Sequence, residues 1–270
     1  MRLQGYYRRR AGSLVFRRPF LINARRPLIS FTFDDFPQSA LLMGGAILNR
    51  FGLAGTYYAS LGVLGSETPS GKIFVASDLT MLFEKGHELG CHTFSHCDSW
   101  DTETSVFENS LIENRAALSR LVPGAEFRSF SYPISLPRPR TKAKTADYFL
   151  SCRGGGQTLN VGNADLNQLS AYFLEKSRDN IQAVKNLIDR NRQACGWLIF
   201  ATHDISDTPT PFGCTPAFLE SVVQYAISSG ALILPVAKAL EVLGAPGYHS
   251  HSVPPRNLDP ETELSRSQRS

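Results

Sequence analysis

Residues 28–37 read LISFTFDDFP, an apolar run that ends on two adjacent carboxylates, Asp34 and Asp35, followed by an aromatic residue and a proline. A run without polar alternation suits a strand of a parallel sheet that is covered on both faces. Two like charges at the end of such a strand cannot both be idle there, because an unpaired buried carboxylate is costly or stays protonated. One reading is a helix N-cap followed by a solvated acid, with Pro37 near the start of the next helix. The other is a pair of chemical tools, one carboxylate holding a cation and the other accepting a proton.

The rest of the chain repeats the pattern. AGTYYAS (54–60), HELGCH (87–92), FRSFSYP (127–133), WLIFATHD (197–204) and ALILP (231–235) read as further strands. Helices are expected between them: Ser77 to Lys85 stopping at Gly86, about 105–122 with Phe107, Leu111, Leu118 and Leu121 on one side, and a third carrying Ile181, Val184, Leu187 and Ile188 after Asp179 as N-cap. A fourth has Thr215 as N-cap, Pro216 at its first position and Gly230 beyond its end. Strand and helix in alternation predict an α/β fold with a parallel sheet and crossover helices, open or closed into a barrel.

In such folds the ligand site forms where strands end. Four of the predicted strand ends carry reactive residues: Asp34 and Asp35, His92 and His96, Tyr132 with Pro133, and His203 with Asp204. His92 and His96 are four residues apart, close enough on a helical turn for both rings to reach one ion. Two imidazoles and a carboxylate are a common ligand set for a catalytic divalent ion, most typically zinc. Cys91 and Cys97 flank the pair and are read as packing residues.

With 270 residues, 42% of them hydrophobic, the chain can build one large domain. Five cysteines without a CxxC pair argue against a disulfide framework. No apolar run approaches the length of a membrane span and no secretory leader is recognised, so a soluble cytoplasmic protein is expected. Eight arginines precede the first acid, Asp34, so the remainder of a chain of net charge +4 sums to −4. A basic arm of this kind can serve an acidic partner, or it can be a solvated leader or a strap across the barrel bottom; the latter two are preferred, and no nucleic-acid partner is expected. The boundaries expected are a basic arm over 1–27, a catalytic domain over 28–245 and a disordered, proline-bearing tail over 246–270.

Taken together and in this order, TFDD, HTFSH, SYP and THD resemble the signature of the polysaccharide deacetylase family, also called the NodB homology domain, over about residues 28–240. The resemblance implies a single-domain, distorted (β/α) barrel, usually of seven strands, and metal-dependent removal of acetyl groups from N-acetylated sugars. By position it implies Asp34 as general base, Asp35, His92 and His96 as metal ligands, His203 as general acid, and the backbone N–H of Tyr132 as an oxyanion donor. Three features depart from the family pattern. Phe36 replaces a glycine, and Ser129 stands where an arginine is usual, leaving Arg128 or Arg153 to orient the base. No Asp-and-Trp motif is recognisable between 134 and 196, so the carboxylate beside His203 is unassigned. Phe36, Phe94 and Trp100 are the candidate sugar-stacking aromatics at the rim, with core packing as the alternative for each. The competing readings are a hydrolase of a small amide or cyclic imide, and a carbohydrate-binding module without turnover.

Overall fold

The computed structural model describes residues 12–247. The arm meets the body early: β1 (Pro19–Ile22) pairs antiparallel with β9 (Gly162–Asp165). The next strands are β2 (Leu28–Phe33), β3 (Thr56–Ala59), a small antiparallel hairpin of β4 (Glu67–Thr68) and β5 (Gly71–Lys72), β6 (Glu88–Cys91), β7 (Ser129–Ser131) and β8 (Ser151–Gly154). After β9 come β10 (Leu169–Ser170), β11 (Tyr172–Phe173), β12 (Trp197–Thr202) and β13 (Leu232–Ile233).

The main sheet runs β10-β8-β7-β6-β3-β2-β12-β11, with β13 also paired to β2, and every pairing in it is parallel. Its two ends, β10 and β11, are separated only by Ala171, so one short segment pairs with β8 on one side and with β12 on the other. The sheet is thereby closed into a barrel. Its eight strands on this path fill seven positions because β10 and β11 share one.

All residues of β2 and β12 are buried, as their unbroken apolar sequences require. Their register runs from Trp197 opposite Leu28 to Thr202 opposite Phe33. The ladder continues one step, with Asp34 N–H donating to Thr202 O at 2.9 Å, so Asp34, Asp35 and His203 leave neighbouring strands side by side.

The outer helices are α1 (Ala46–Arg50), α2 (Asp78–Glu84), α3 (Thr104–Leu121), α4 (Pro139–Tyr148), α5 (Ile181–Ala194), α6 (Pro216–Ser228) and α7 (Val236–Val242). Helix α3 buries Phe107, Leu111 and Leu118, whereas Leu121 is exposed. Helix α6 starts as expected, the Thr215 side chain accepting from Phe218 N–H behind Pro216. The cap of α5 is Asn180 and not Asp179: its side chain accepts the Ala183 N–H. Gly86 and Gly230 take positive φ just past α2 and α6, the left-handed conformation a helix stop favours.

Part of the arm is a strap. Lys142 of α4 is wholly buried, and its ammonium donates to Gly12 O at 2.7 Å, Asp165 Oδ2 at 2.6 Å and Gln168 Oε1 at 3.3 Å. Arg18 donates to the carbonyls of Phe149 and Leu150. A buried ammonium needs such full satisfaction to be tolerated. Arg2 and Arg8–Arg10, and the expected disordered tail from residue 248 onward, lie outside the described residues. Among the described residues, no helix is long and apolar enough to cross a membrane.

Candidate active site

The barrel register gathers one rim. Asp34 and Asp35 follow β2, His92 follows β6, Tyr132 follows β7, Arg153 lies in β8 and His203 follows β12. His96 enters from the loop after β6, four residues past His92. The backbone around these residues is unusual: Asp35, Phe36, Thr93, His96 and Ile134 all have positive φ, between 53° and 62°. Non-glycine residues held there cost on the order of 1–3 kcal/mol each and persist only where the surroundings enforce them. Such strain concentrates at sites where side-chain aim matters.

Asp35, His92 and His96 form a compact cluster, with their ligating atoms all within 4.8 Å of one another. Asp35 Oδ1 lies 3.4 Å from His92 Nε2 and 3.1 Å from His96 Nε2, yet is buried and makes no aligned hydrogen bond. Its other oxygen accepts from Ser70 Oγ at 2.6 Å, a residue at the tip of the β4–β5 hairpin. His92 Nδ1 lies 2.7 Å from Ser131 O. A carbonyl only accepts, so Nδ1 carries the proton and Nε2 presents a lone pair towards Asp35. A carboxylate oxygen facing such a lone pair, without a hydrogen bond, is an arrangement that a cation between them relieves. The donor set therefore fits a divalent metal. The field around the cluster agrees. Burial pushes the Asp35 carboxyl up, but the imidazoles of His92 and His96 outweigh it and hold it well below the usual range. Burial disfavours a charged His96, but Asp35, Asp34 and Asp98 prevail and raise its pKa.

Asp34 is used differently. It is buried and forms an ion pair with Arg153, itself only 1% exposed, whose guanidinium also lies over the Tyr58 ring at 4.6 Å. This decides between the two arginines, since Arg128 is exposed. Arg153 is the direct register partner of Ser131, so the cation reaches the site from the strand next to the third motif.

His203 donates from Nδ1 to Phe212 O at 3.2 Å, the only role a carbonyl allows, which leaves Nε2 4.0 Å from Asp35 Oδ2. Its ring neighbours those of Phe173 and Phe212, with centroids at 6.4 and 5.5 Å. Asp204 shapes the following loop: it is buried and accepts from Thr210 N at 2.9 Å and Thr210 Oγ1 at 2.5 Å.

Two sequence expectations need correction. The Tyr132 N–H donates to Arg153 O at 3.0 Å within the β7–β8 ladder, and its hydroxyl meets Thr145 Oγ1 and Asn167 O. It is therefore engaged in the sheet and does not point an open donor at the site. Phe36 does not line the rim: it is fully buried, stacked on Phe74 at 4.0 Å and tilted against Tyr57. Phe94 packs against the core and Trp100 is half-buried. The cysteines behave as expected. Burial pushes the Cys91 thiol up to about 12, its sulfur accepting from Asn114, and Cys97 Sγ contacts Ser95 Oγ.

Glu175 carries no recognisable sequence motif. Phe173 is opposite Ala201 in the parallel β11–β12 pair, and Glu175 follows in a single 3-10 turn (Leu174–Ser177), near enough to His203 for their charges to interact. Its Oε2 is buried without a partner. Burial raises its pKa from 4.5 to about 7, His203 and Lys176 opposing the rise and Asp34 adding to it. A carboxyl raised in this way stabilises the fold most below pH 4.5, and that contribution is lost as pH rises through about 7. Glu175→Gln stays neutral, so the melting temperature of the variant relative to the wild type is expected to rise across this interval. Parallel pH profiles of the two proteins would show that Glu175 is not the group involved.

This rim lies on an α/β barrel, with a cluster that could hold a metal ion and two further titratable groups at the carboxyl ends of its strands. Residues 22–150 match the sequence model described as polysaccharide deacetylase. No curated protein matches the chain. Among solved structures, an acetyl xylan esterase of family 4 from Clostridium thermocellum in complex with a cobalt ion is similar at 20% identity and TM-score 0.58, over 81% of this chain and 93% of that one. The Xyl-CE4 domain of a multidomain xylanase from the hindgut metagenome of Trinervitermes trinervoides is similar at 18% identity and TM-score 0.55, over 82% and 92%. A family 4 pseudoenzyme from Bacillus anthracis also shares the fold, at 12% identity and TM-score 0.56 over 81% and 66%. The fold therefore accommodates both active and inactive members, and the side chains on the rim must carry any argument about turnover.

Proposed function

We propose that the protein is a metal-dependent hydrolase that removes acetyl groups from an N-acetylated sugar, oligosaccharide or polysaccharide. The observation that carries this reading is the meeting, on one rim, of the Asp35–His92–His96 cluster, the Arg153-paired Asp34 and the singly oriented His203. A divalent ion, with zinc the first candidate, would supply Lewis-acid polarisation and a more acidic water when held by Asp35, His92 and His96. Asp34, oriented by its ion pair with Arg153, takes a proton from the water that adds to the acetyl carbonyl carbon. The C–N bond then breaks with acetate as one product, and His203 Nε2 gives a proton to the departing amine nitrogen. The Phe212 carbonyl holds Nδ1–H, so Nε2 is the nitrogen that faces the chemistry. The combination of base, acid and ligand set favours turnover over a binding module.

The test uses the acid. An amine leaves poorly until protonated, whereas an activated ester's alcohol leaves with little help. His203→Ala is expected to lower the rate on an acetylated chitooligosaccharide by about 10²–10⁴-fold and the rate on an activated acetate ester far less. Metal content should stay at the wild-type level. Equal losses on both substrates, or loss of metal, would make His203 a scaffold residue or a ligand.

A further inference from the structure

His203 constrains where the substrate's sugar lies. For Nε2 to protonate the departing nitrogen, that nitrogen must come within about 2.6–3.2 Å of it. The ring carbon bearing the nitrogen is one bond further, so the sugar must pack against whatever surface flanks His203. Two aromatic rings do so. Phe173 lies parallel to the imidazole at 19° and is half-buried, whereas Phe212 is tilted at 53° and is 41% exposed.

Phe212 is not on a loose loop. Thr210 is bound to both Asp204 carboxylate oxygens, Phe212 N–H donates to Thr210 Oγ1 at 3.2 Å, and Gly213 N–H donates to Thr210 O at 3.2 Å. Arg178 reaches the same Thr210 carbonyl, and Cys214 N–H donates to Asp204 O. Gly213 lies so close that an added Cβ would overlap Asp204 Oδ1 and O, which only glycine avoids. The loop therefore presents the Phe212 carbonyl to His203 and the Phe212 ring to solvent in a single preset arrangement. A ring fixed before binding loses little freedom when a ligand stacks on it.

We infer that the Phe212 ring is the platform on which the sugar bearing the scissile acetamido group stacks, which makes Phe212 the residue that selects a pyranose over a small non-sugar amide. This rests on the deacetylase reading above. The aromatic face offers an apolar contact matched to the C–H face of a sugar ring, and every side-chain variant retains the backbone carbonyl that orients His203.

The experiment compares wild type, Phe212→Ala and Phe212→Tyr in the full-length, metal-loaded protein. Three quantities are read: kcat and KM on acetylated chitotetraose, kcat/KM on p-nitrophenyl acetate, and affinity for the fully deacetylated tetrasaccharide by calorimetry. Phe212→Ala is expected to raise the tetrasaccharide KM and weaken product binding by about tenfold, with a much smaller loss on the ester, and Phe212→Tyr to recover most of both. Equal losses on saccharide and ester, or saccharide constants like those of the wild type, would overturn the inference. A wild-type protein that cleaves the ester but neither binds nor deacetylates any saccharide would instead sink the sugar-deacetylase reading, and this platform with it.

Discussion

Replacing His92 with alanine is expected to leave the purified protein without its divalent ion after dialysis and to abolish amide hydrolysis. His96→Ala should do the same. With three candidate ligands and no fourth in the cluster among the described residues, removing one is expected to leave a site that competes poorly with water. Even an outer partner of a metal-bound histidine commonly contributes 10–100-fold in affinity, so loss of a direct ligand should weaken binding by more than about a hundredfold. Metal content by elemental analysis and activity before and after adding back zinc or cobalt are the measurements. Either variant keeping a full equivalent of metal would show that the cluster is not the site. Ser131 enters this argument through its backbone oxygen, which fixes the His92 tautomer, so side-chain changes at Ser131 should affect affinity far less.

Much of this rim was legible from the sequence because its parts follow the two most apolar, most regular strands. β2 and β12 read as continuous hydrophobic runs, and the residues just past them, Asp34, Asp35, His203 and Asp204, could be placed at strand ends without further information. The closing strands were not legible. β8 is SCRG, β9 is GNAD, and β10 and β11 are two residues each: too short and too polar for a period to register, they owe their strand state to neighbours already in the sheet. Arg153 and Glu175 lie in or beside these segments, which is why the partner of Asp34 stayed open between two arginines and Glu175 was not singled out. Phe36 stayed open between rim and core for a related reason. Adjacency to Asp35 suggested the rim, but a left-handed residue at that position turns the next side chain into the core beside Phe74. The arm, read from charge alone, proved partly structural because buried Lys142 needs acceptors, and Gly12 O is one of them.

Asp34→Asn separates the two adjacent carboxylates most directly. Turnover is expected to fall by about 10²–10⁴-fold, the usual contribution of a positioned general base, while the metal stays bound. The amide keeps the shape and can still accept from Arg153, but it leaves that guanidinium buried and without a compensating charge. Removing one partner of a buried pair typically costs about 3–5 kcal/mol of stability, with retained hydrogen bonding softening the loss, so the variant should also melt at lower temperature. The kinetic test must therefore be run well below its transition. Asp35→Asn is expected to behave in the opposite way, with metal occupancy dropping first and activity following it, because Asp35 Oδ1 is the oxygen both imidazoles face. Excess metal should restore part of the activity of the Asp35 variant and none of that of the Asp34 variant. If both variants lost metal alike, or if metal rescued Asp34→Asn, the carboxylates would share one role as ligands, and the base would have to be sought elsewhere on the rim, with Glu175 the first group to examine.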